Sequence, residues 1–178
     1  MALKGKKVLV LGLGDTGLSM TRWLVRQGAV VSVADTREAP PQALQLASEL
    51  PQVRVRAGAF QRDDFVDADA IAVSPGIDPR SGKLADAIKR GTPVVGDVEL
   101  FAHALRQRAS GMPKSRVIAI TGSNGKSTVT AMCGAMCANA GLDTVVAGNI
   151  GLPVLDVMTQ IDDGKSNQSG RHMPDVFV

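Results

Sequence analysis

Two glycine-rich segments carry the residues of this sequence that are best suited to bind phosphate. The first is Gly12-Leu-Gly-Asp-Thr-Gly17, and the second is Thr121-Gly-Ser-Asn-Gly-Lys-Ser-Thr128. Each follows a short apolar run and precedes a segment with helical spacing, so each is expected to join a strand to a helix. At a helix N-terminus, the unpaired backbone N–H groups and the helix dipole attract anions. The sequence therefore predicts two phosphate-binding loops.

The second segment also carries a cation and two hydroxyl groups. Lys126 can neutralise the β- and γ-phosphates of a nucleoside triphosphate, which gives it a catalytic role, and Ser127 or Thr128 can ligate Mg²⁺. A full Walker pattern would need a glycine where Ile120 stands, so this is a shortened phosphate loop. The alternative is a turn with a purely structural role. The residues expected to bind the nucleoside triphosphate, which the resemblance described below implies is ATP, are Gly122, Ser123, Asn124, Gly125, Lys126, Ser127 and Thr128.

The first segment is compatible with more than one ligand. Its G-x-G-x-x-G pattern opens a predicted helix, and Asp35 ends the next predicted strand, where an acidic residue commonly binds a ribose hydroxyl of NAD. Taken alone, the pattern indicates an NAD-dependent dehydrogenase. The alternative is a glycine-rich turn that only lets the helix pack closely on the strand.

The elements that must position both loops alternate between short β-branched runs and amphipathic stretches. This alternation predicts an α/β protein with a parallel sheet. We place a Rossmann-like domain at residues 1–110. Its strands are expected at Val8–Leu11, Val30–Ala34, Asp69–Val73 and Pro93–Val95, and its helices at about 16–27, 42–50, 82–90 and 97–108.

A small, polar segment at 109–115 is expected to link this domain to a second one. At 116–178 we predict the start of a P-loop-type α/β domain. Its expected elements are a strand at Val117–Ile120, a helix from the second loop to about Ala140, a strand at Thr144–Ala147, a helix near Pro153–Ile161 and a strand beginning at Asp175. We expect this domain to be incomplete at Val178.

Composition excludes several classes of protein. Apolar residues make up 44% of the chain and charged residues 21%, which is typical of a folded domain. The net charge is +3, but the basic residues are scattered and tyrosine is absent, so we expect no nucleic-acid partner. No run approaches the ~20 apolar residues that span a bilayer, so we expect a cytoplasmic protein without a membrane partner.

The cysteines, Cys133 and Cys137, fall on one predicted helical face with Val129, Met132, Met136 and Ala140. This spacing predicts a buried apolar stripe, and a metal or redox pair is the alternative. Trp23 is expected in the core of the first domain. His103 is expected to cap its helix or face solvent, and His172 to have no role.

Several segments resemble one family of ligases. Thr121 to Thr128 is similar to the ATP loop of the Mur ligases and of their folylpolyglutamate synthase relatives. The segments 12–19, 35–37, 74–77, 96–101 and 148–153 occur in the order typical of the D-glutamate-adding Mur ligases. The resemblance extends over nearly the whole chain.

The resemblance implies a three-domain enzyme of peptidoglycan synthesis. Such a ligase uses ATP and Mg²⁺ to activate UDP-N-acetylmuramoyl-L-alanine as an acyl phosphate, which the amine of D-glutamate then displaces. The first loop would bind the UDP end of this substrate instead of NAD, and the protein would be a monomer. The family's C-terminal domain, a glutamate on the strand beginning at Asp175, a histidine and a carbamylated lysine are not in this chain, so we expect it to be inactive alone.

The resemblance also implies which residues contact the UDP substrate. Ser74, Pro75 and Gly76 have a simple turn as their alternative role, and Asn149 could instead be a turn residue with positive φ. A non-catalytic nucleotide-binding module remains the other interpretation of the chain. The implied substrate-binding residues are Gly14, Asp15, Thr16 and Gly17 near the diphosphate, Asp35, Thr36 and Arg37 around the uridine, and Ser74, Pro75, Gly76 and Asn149.

Overall fold

The computed structural model describes residues 3–80, 82–108, 115–164 and 173–178. The chain divides into two compact units, Met1–Leu100 and Phe101–Val178. The expected linker at 109–115 lies outside the described residues except for Ser115, whose hydroxyl donates to the carbonyl of Pro174 (2.6 Å). His172 also lies outside them.

The first unit contains a five-stranded parallel sheet with the order β3-β2-β1-β4-β5. This confirms the predicted α/β class with a parallel sheet. The strands are β1 (Lys7–Leu11), β2 (Val30–Asp35), β3 (Arg54–Ala57), β4 (Ala70–Val73) and β5 (Val94–Val95). The helices of this unit are α1 (Asp15–Arg26), α2 (Ala43–Glu49) and α3 (Gly82–Lys89), and a 3-10 turn covers Arg62–Phe65. A fourth helix, α4 (Asp97–Arg108), begins in the first unit and continues into the second.

The core of this unit surrounds β1, which is buried on both faces. Strands of a parallel sheet with helices on both sides are near-continuous apolar runs, and β1 has the sequence Lys-Val-Leu-Val-Leu. Trp23 of α1 is 4% exposed, which confirms its predicted place in the core. The apolar cluster on one side of the sheet consists of Leu9, Leu11, Ala34, Phe65, Ile71, Leu84 and Ala87.

Strand β3 was not predicted from the sequence. It is an edge strand of sequence Arg-Val-Arg-Ala, and its arginines give it too polar a pattern to be recognised. Arg56 forms an ion pair with Asp64 of the 3-10 turn, and its guanidinium also donates to the carbonyl of Ala59. Charged side chains on a sheet edge disfavour pairing with another chain.

The second unit contains a three-stranded parallel sheet with the order β6-β8-β7. Its strands are β6 (Arg116–Val117), β7 (Thr144–Val145) and β8 (Val176–Phe177), and its helices are α5 (Lys126–Asn139) and α6 (Val154–Asp162). The predicted strand at Val117–Ile120 is shorter and begins one residue earlier. The last strand, β8, is central and buried, and the ring of Phe177 meets that of Phe101 edge-on at 4.9 Å.

The predicted apolar stripe of α5 is wrong. The helix turns Gly134 inward, and Cys133 and Cys137 are half-buried beside it, but Met132 and Met136 are 58% and 60% exposed. The close approach of Gly134 to Val146 explains the difference, because a methyl group at Gly134 would lie 2.4 Å from Val146 Cγ2. The helix therefore packs through its smallest residue and leaves Val129 and both methionines outside.

Across the described ranges, no helix is long and apolar enough to span a membrane. The same residues contain no group of three or more His, Cys, Asp or Glu side chains placed to hold a metal ion.

Candidate phosphate-binding sites

The first loop, residues 12–17, connects β1 to α1 at the carboxyl end of the sheet. Gly12 has a φ of +86°, a left-handed conformation that glycine adopts without strain. Gly17 is required for a different reason, since a methyl group there would lie 1.9 Å from the carbonyl oxygen of Gly12. Gly14 has open space around it, so it leaves the backbone accessible to a ligand. The three glycines thus serve the turn, the helix packing and the approach of a ligand.

Ser74 lies against the first loop, because β4 pairs directly with β1. Its hydroxyl donates to the carbonyl of Gly12 (3.2 Å), and its backbone N–H donates to Leu11 (3.0 Å). Pro75 and Gly76 follow as exposed turn residues. The structure thus brings the predicted 74–76 turn beside the predicted 12–17 loop, at the end of the sheet where ligands of open α/β folds bind.

Asp35, at the end of β2, holds the other side of the first loop. Its carboxylate is 2% exposed. Oδ2 accepts hydrogen bonds from the backbone N–H of Leu13 (2.6 Å) and from Nη2 of Arg37 (2.5 Å). Oδ1 accepts from the backbone N–H (2.9 Å) and Nε (2.8 Å) of Arg37. The carboxylate therefore links the loop backbone to the arginine.

These contacts stabilise the charged form of Asp35. The hydrogen bonds from the Arg37 side chain are the main reason why the pKa of Asp35 is lowered from 3.8 to about 2, although burial acts in the opposite direction. The backbone N–H groups of Arg37 and Leu13 lower this pKa as well. Asp35 is thus an anion at neutral pH, and its charge is balanced by the Arg37 guanidinium.

The start of α1 presents polar groups around the first loop. Asp15 is exposed, and its Oδ1 accepts a hydrogen bond from Nε2 of Gln42 (2.6 Å), while Thr16 is half-buried. The backbone N–H of Gln42 also donates to the carbonyl of Leu13 (3.3 Å). The first N–H groups of a helix have no partner within it. The loop, Asp35, Arg37 and the 74–76 turn therefore form one polar end of the first sheet.

The second loop, residues 121–128, leads into α5 and is exposed throughout. Gly125 has a φ of +74° immediately before the first helical residue, Lys126. The ammonium group of Lys126 folds back over the loop, where it donates to the carbonyls of Gly122 (2.6 Å) and Ser123 (3.4 Å). Ser127 and Thr128 are exposed in the first turn of α5. Their position suits them to bind a cation beside a phosphate.

Asn149 lies in the turn between β7 and α6, where its side chain is exposed. Among the described residues, only glycines have positive φ, so the interpretation of Asn149 as a left-handed turn residue is wrong. The neighbouring Gly148 has a φ of +125° and donates to the carbonyl of Leu152 (3.0 Å). The glycine makes the turn, and the asparagine amide remains available at its tip.

Sequence reasoning missed Leu13 and Gln42, both of which help to hold the first loop. Leu13 acts through its backbone, which any residue supplies, so no side-chain pattern could reveal it. Gln42 lies beyond the loop along the chain and carries no motif.

Two glycine-rich loops, each between a parallel strand and a helix, define an α/β protein with two candidate phosphate-binding sites. The comparison with family models then gives the family: residues 6–96 match the N-terminal domain of MurD-like Mur ligases. The chain belongs to this family.

Curated relatives agree over a longer stretch. The chain is 57% identical to the UDP-N-acetylmuramoylalanine–D-glutamate ligase of Thiobacillus denitrificans, in a match that covers 100% of this chain and 38% of that protein. It is 53% identical to the ligase of the same name from Methylobacillus flagellatus, over 92% of this chain and 35% of the relative. The chain thus spans well under half the length of these relatives.

Solved structures bear on the fold alone, because their sequences are more distant. A murein peptide ligase from Psychrobacter arcticus has a TM-score of 0.51 and 21% identity, over 80% of this chain and 28% of that one. The UDP-N-acetylmuramate:L-alanyl-γ-D-glutamyl-meso-diaminopimelate ligase of Neisseria meningitides has a TM-score of 0.50 and 22% identity, over 83% of this chain and 45% of that one. Both support the predicted Rossmann-like α/β architecture.

Proposed function

We propose that this chain forms the nucleotide-binding part of an ATP-dependent amide ligase that joins D-glutamate to UDP-N-acetylmuramoyl-L-alanine. The observation that carries the proposal is the pair of phosphate-type loops, each at the start of a helix, in a chain of the MurD-like family. Two relatives, 57% and 53% identical to this chain, are named as ligases of UDP-N-acetylmuramoylalanine and D-glutamate. We further propose domains at 1–110 and 116–178.

In this proposal, the first loop binds the UDP end of the substrate. The N–H groups at the start of α1 face the diphosphate, with Gly14 giving access to the backbone. Arg37 and Thr36 are both exposed beside the loop and can meet the uridine. Ser74 supports the loop from the adjacent strand, and Pro75 and Gly76 border the ligand.

The second loop binds ATP in the same proposal. Lys126 leaves the carbonyls of Gly122 and Ser123 and turns to the terminal phosphates, whose negative charge it neutralises. The hydroxyl of Ser127 or Thr128 would hold Mg²⁺, which supplies further positive charge at the phosphates. The substrate carboxylate attacks the γ-phosphorus, ADP leaves, and the amine of D-glutamate then displaces phosphate from the acyl phosphate. Asn149 would meet the UDP substrate.

The proposed activity also implies a location, an oligomeric state and a set of partners. We propose a cytoplasmic monomer whose partners are its small-molecule substrates, without a nucleic acid or a membrane. An NAD-dependent dehydrogenase would use the first loop and Asp35 but would leave Lys126 and its loop without a role.

Calorimetric titration of the 178-residue chain tests the assignment of the first loop. We expect UDP-N-acetylmuramoyl-L-alanine to bind more tightly than NAD, and Lys126→Ala to leave this affinity unchanged. Tighter binding of NAD would overturn the ligase proposal.

A chimera tests the reaction itself. This chain would replace the matching segment of the Thiobacillus denitrificans ligase, with which it is 57% identical. We expect phosphate release that requires both UDP-N-acetylmuramoyl-L-alanine and D-glutamate, and its loss when Lys126 is changed to alanine. If the chimera carrying Lys126→Ala is as active as the chimera without it, the second loop is not the ATP site.

A further inference from the structure

We propose that Gln42 is a positioning residue, whose side-chain amide holds the Asp15 carboxylate against α2 and keeps that negative charge off the first N–H groups of α1. The inference rests on the proposed binding of a UDP-sugar diphosphate at the first loop. It adds a residue outside the loop to that site, and it explains how an acidic side chain is tolerated where an anion binds.

Asp15 places a negative charge at the start of a helix that is proposed to bind a diphosphate. It is the first residue of α1, and its side chain is exposed. A carboxylate in the first turn is attracted by the same helix dipole and unpaired N–H groups that attract a phosphate. The two anions therefore compete for one region of positive potential, and they repel each other when both are present.

Gln42 holds this carboxylate to one side. Its Nε2 donates to Oδ1 of Asp15 (2.6 Å), and its backbone N–H donates to the carbonyl of Leu13 (3.3 Å). A glutamine amide carries two N–H donors and no charge, so it binds the carboxylate without becoming a competing cationic site for the phosphate. One half-buried residue thus fixes both the direction of the Asp15 side chain and the loop backbone before it.

The direction of this bond follows from the topology of the first sheet. Helix α2 connects β2 to β3, on the opposite side of β1 from β4 and the 74–76 turn. The order of the strands reverses between β1 and β4, and ligands of open α/β sheets bind in the crevice at such a point. The bond to Gln42 therefore draws the Asp15 carboxylate away from this crevice.

A second contact between the same two helices supplies a matched control. Nε and Nη2 of Arg22 donate to the two carboxylate oxygens of Glu49 (2.7 and 2.6 Å). Both contacts join residues 27 positions apart in the chain. The two contacts are about 10 Å apart along the helices, at a rise of ~1.5 Å per residue. The pair of Arg22 and Glu49 thus holds α2 on α1 when Gln42 is truncated, and it lies away from the loop.

The test is a double-mutant cycle, measured by calorimetric titration of the 178-residue chain with UDP-N-acetylmuramoyl-L-alanine. Gln42→Ala frees the carboxylate, so we expect the affinity to fall roughly fivefold. Asp15→Asn removes the charge, so it should bind roughly threefold more tightly than the wild type, and the double variant should match Asp15→Asn. A double variant as weak as Gln42→Ala would mean that Gln42 only shapes the loop. Weaker binding by Asp15→Asn would show that the carboxylate itself contacts the ligand, and either result overturns the proposal.

Salt and a neutral ligand separate repulsion from a purely structural role. Raising the salt concentration from ~0.02 M to ~0.5 M should reduce the loss in Gln42→Ala to less than about twofold, because exposed charges are screened. Uridine, which has no phosphate, should bind Gln42→Ala and the wild type with equal affinity. A loss of uridine affinity as large as that of the UDP ligand would overturn the proposal.

Glu49→Gln is the structural control, and it should leave the affinity for the UDP ligand unchanged within about twofold. A loss as large as that of Gln42→Ala would mean that any loosening of α2 weakens the site, and it would contradict a specific role of Gln42. If the wild type binds the UDP ligand and Gln42→Ala binds it equally well, this inference alone fails. Failure of the wild type to bind the UDP ligand would instead overturn the proposed function.

Discussion

The two glycine-rich loops have the same local chemistry, but the protein supports them to very different extents. In the first, Gly12, Leu13 and Gly17 are buried, and Asp35 and Ser74 hold the backbone from two neighbouring strands. The second is exposed along its whole length, and its lysine bonds only to carbonyls of the loop itself. The first loop is therefore shaped by its core before any ligand arrives. Substitutions at the buried positions of the first loop should affect stability, whereas those in the second loop should affect binding.

The largest effect is expected for Gly17→Ala, which tests whether the first loop is tightly packed. The added methyl group would lie 1.9 Å from the carbonyl of Gly12, so the start of α1 must move. We expect a loss of about 4 kcal/mol or more in the free energy of unfolding. Urea unfolding followed by fluorescence reports on this unit alone, because Trp23 is the chain's single tryptophan.

Gly14→Ala is the matched control, because it introduces the same methyl group into open space with an extended backbone. It should leave the unfolding midpoint nearly unchanged and lower the affinity for the UDP ligand instead. Equal stability of the two variants would mean that the first loop is not tightly packed.

Lys126→Ala tests the second loop and should affect binding alone. We expect Mg·ATP affinity to fall about a hundredfold, because no other cation in the loop can replace the ammonium group. The free energy of unfolding should stay the same, since Lys126 is exposed and bonds only within its loop. Titration calorimetry measures the Mg·ATP affinity, and urea unfolding followed by circular dichroism measures the free energy of unfolding. The control is Lys89→Ala, which removes an exposed lysine from α3 and should change neither the ATP affinity nor the free energy of unfolding. If Lys126→Ala binds ATP as tightly as the wild type, the second loop is a structural turn.

Asp35→Asn should reduce the stability of the first unit in a pH-dependent way. Folding lowers the pKa of Asp35 from 3.8 to about 2, so its stabilisation is fully present above about pH 4 and is lost as the pH falls through 2. We expect a loss of about 2 kcal/mol at pH 7 and a vanishing difference from wild type near pH 2. Urea unfolding followed by Trp23 fluorescence at several pH values measures this difference in stability. A difference that is constant from pH 7 to pH 2 would contradict the ion pair with Arg37.

The smallest effect is expected for Met132→Ala on the outer face of α5. Met132 is 58% exposed, so its truncation should change the stability of the second unit by less than about 0.5 kcal/mol. Met158→Ala, in the same unit, removes a fully buried side chain and should cost about 2–5 kcal/mol. Urea unfolding followed by circular dichroism compares the two. A similar loss of stability in both variants would mean that Met132 is buried, as the sequence predicted.

The elements of the fold were largely predictable, because buried parallel strands and amphipathic helices leave strong periodic patterns. The helix at 97–108 and the strand at Asp69–Val73 were located within a residue or two of α4 and β4. The exposure of Met132 was not predictable, since apolar spacing alone does not show which face meets a sheet. That face is decided by Gly134, which approaches Val146 more closely than any larger residue could.

The candidate site was predictable in its residues but not in its connections. The spacing of Asp35 and Arg37 is visible in the sequence, and so is the identical spacing of Asp78 and Arg80. Only the tertiary structure distinguishes them, because the bond from Leu13 comes from a backbone N–H group 22 positions away. Hydrogen bonds from the backbone carry no side-chain signature.

The central claim is that the two loops bind two different nucleotides, and simultaneous titration tests it most directly. The 178-residue chain would be saturated with Mg·ATP and then titrated with UDP-N-acetylmuramoyl-L-alanine, alongside the Gly14→Ala and Lys126→Ala variants. We predict that the UDP ligand binds with the same affinity in the presence and absence of ATP. We also predict that Gly14→Ala lowers only the affinity for the UDP ligand, and that Lys126→Ala lowers only the affinity for ATP. Competition between ATP and the UDP ligand for one site, or loss of both ligands in either variant, would contradict the account.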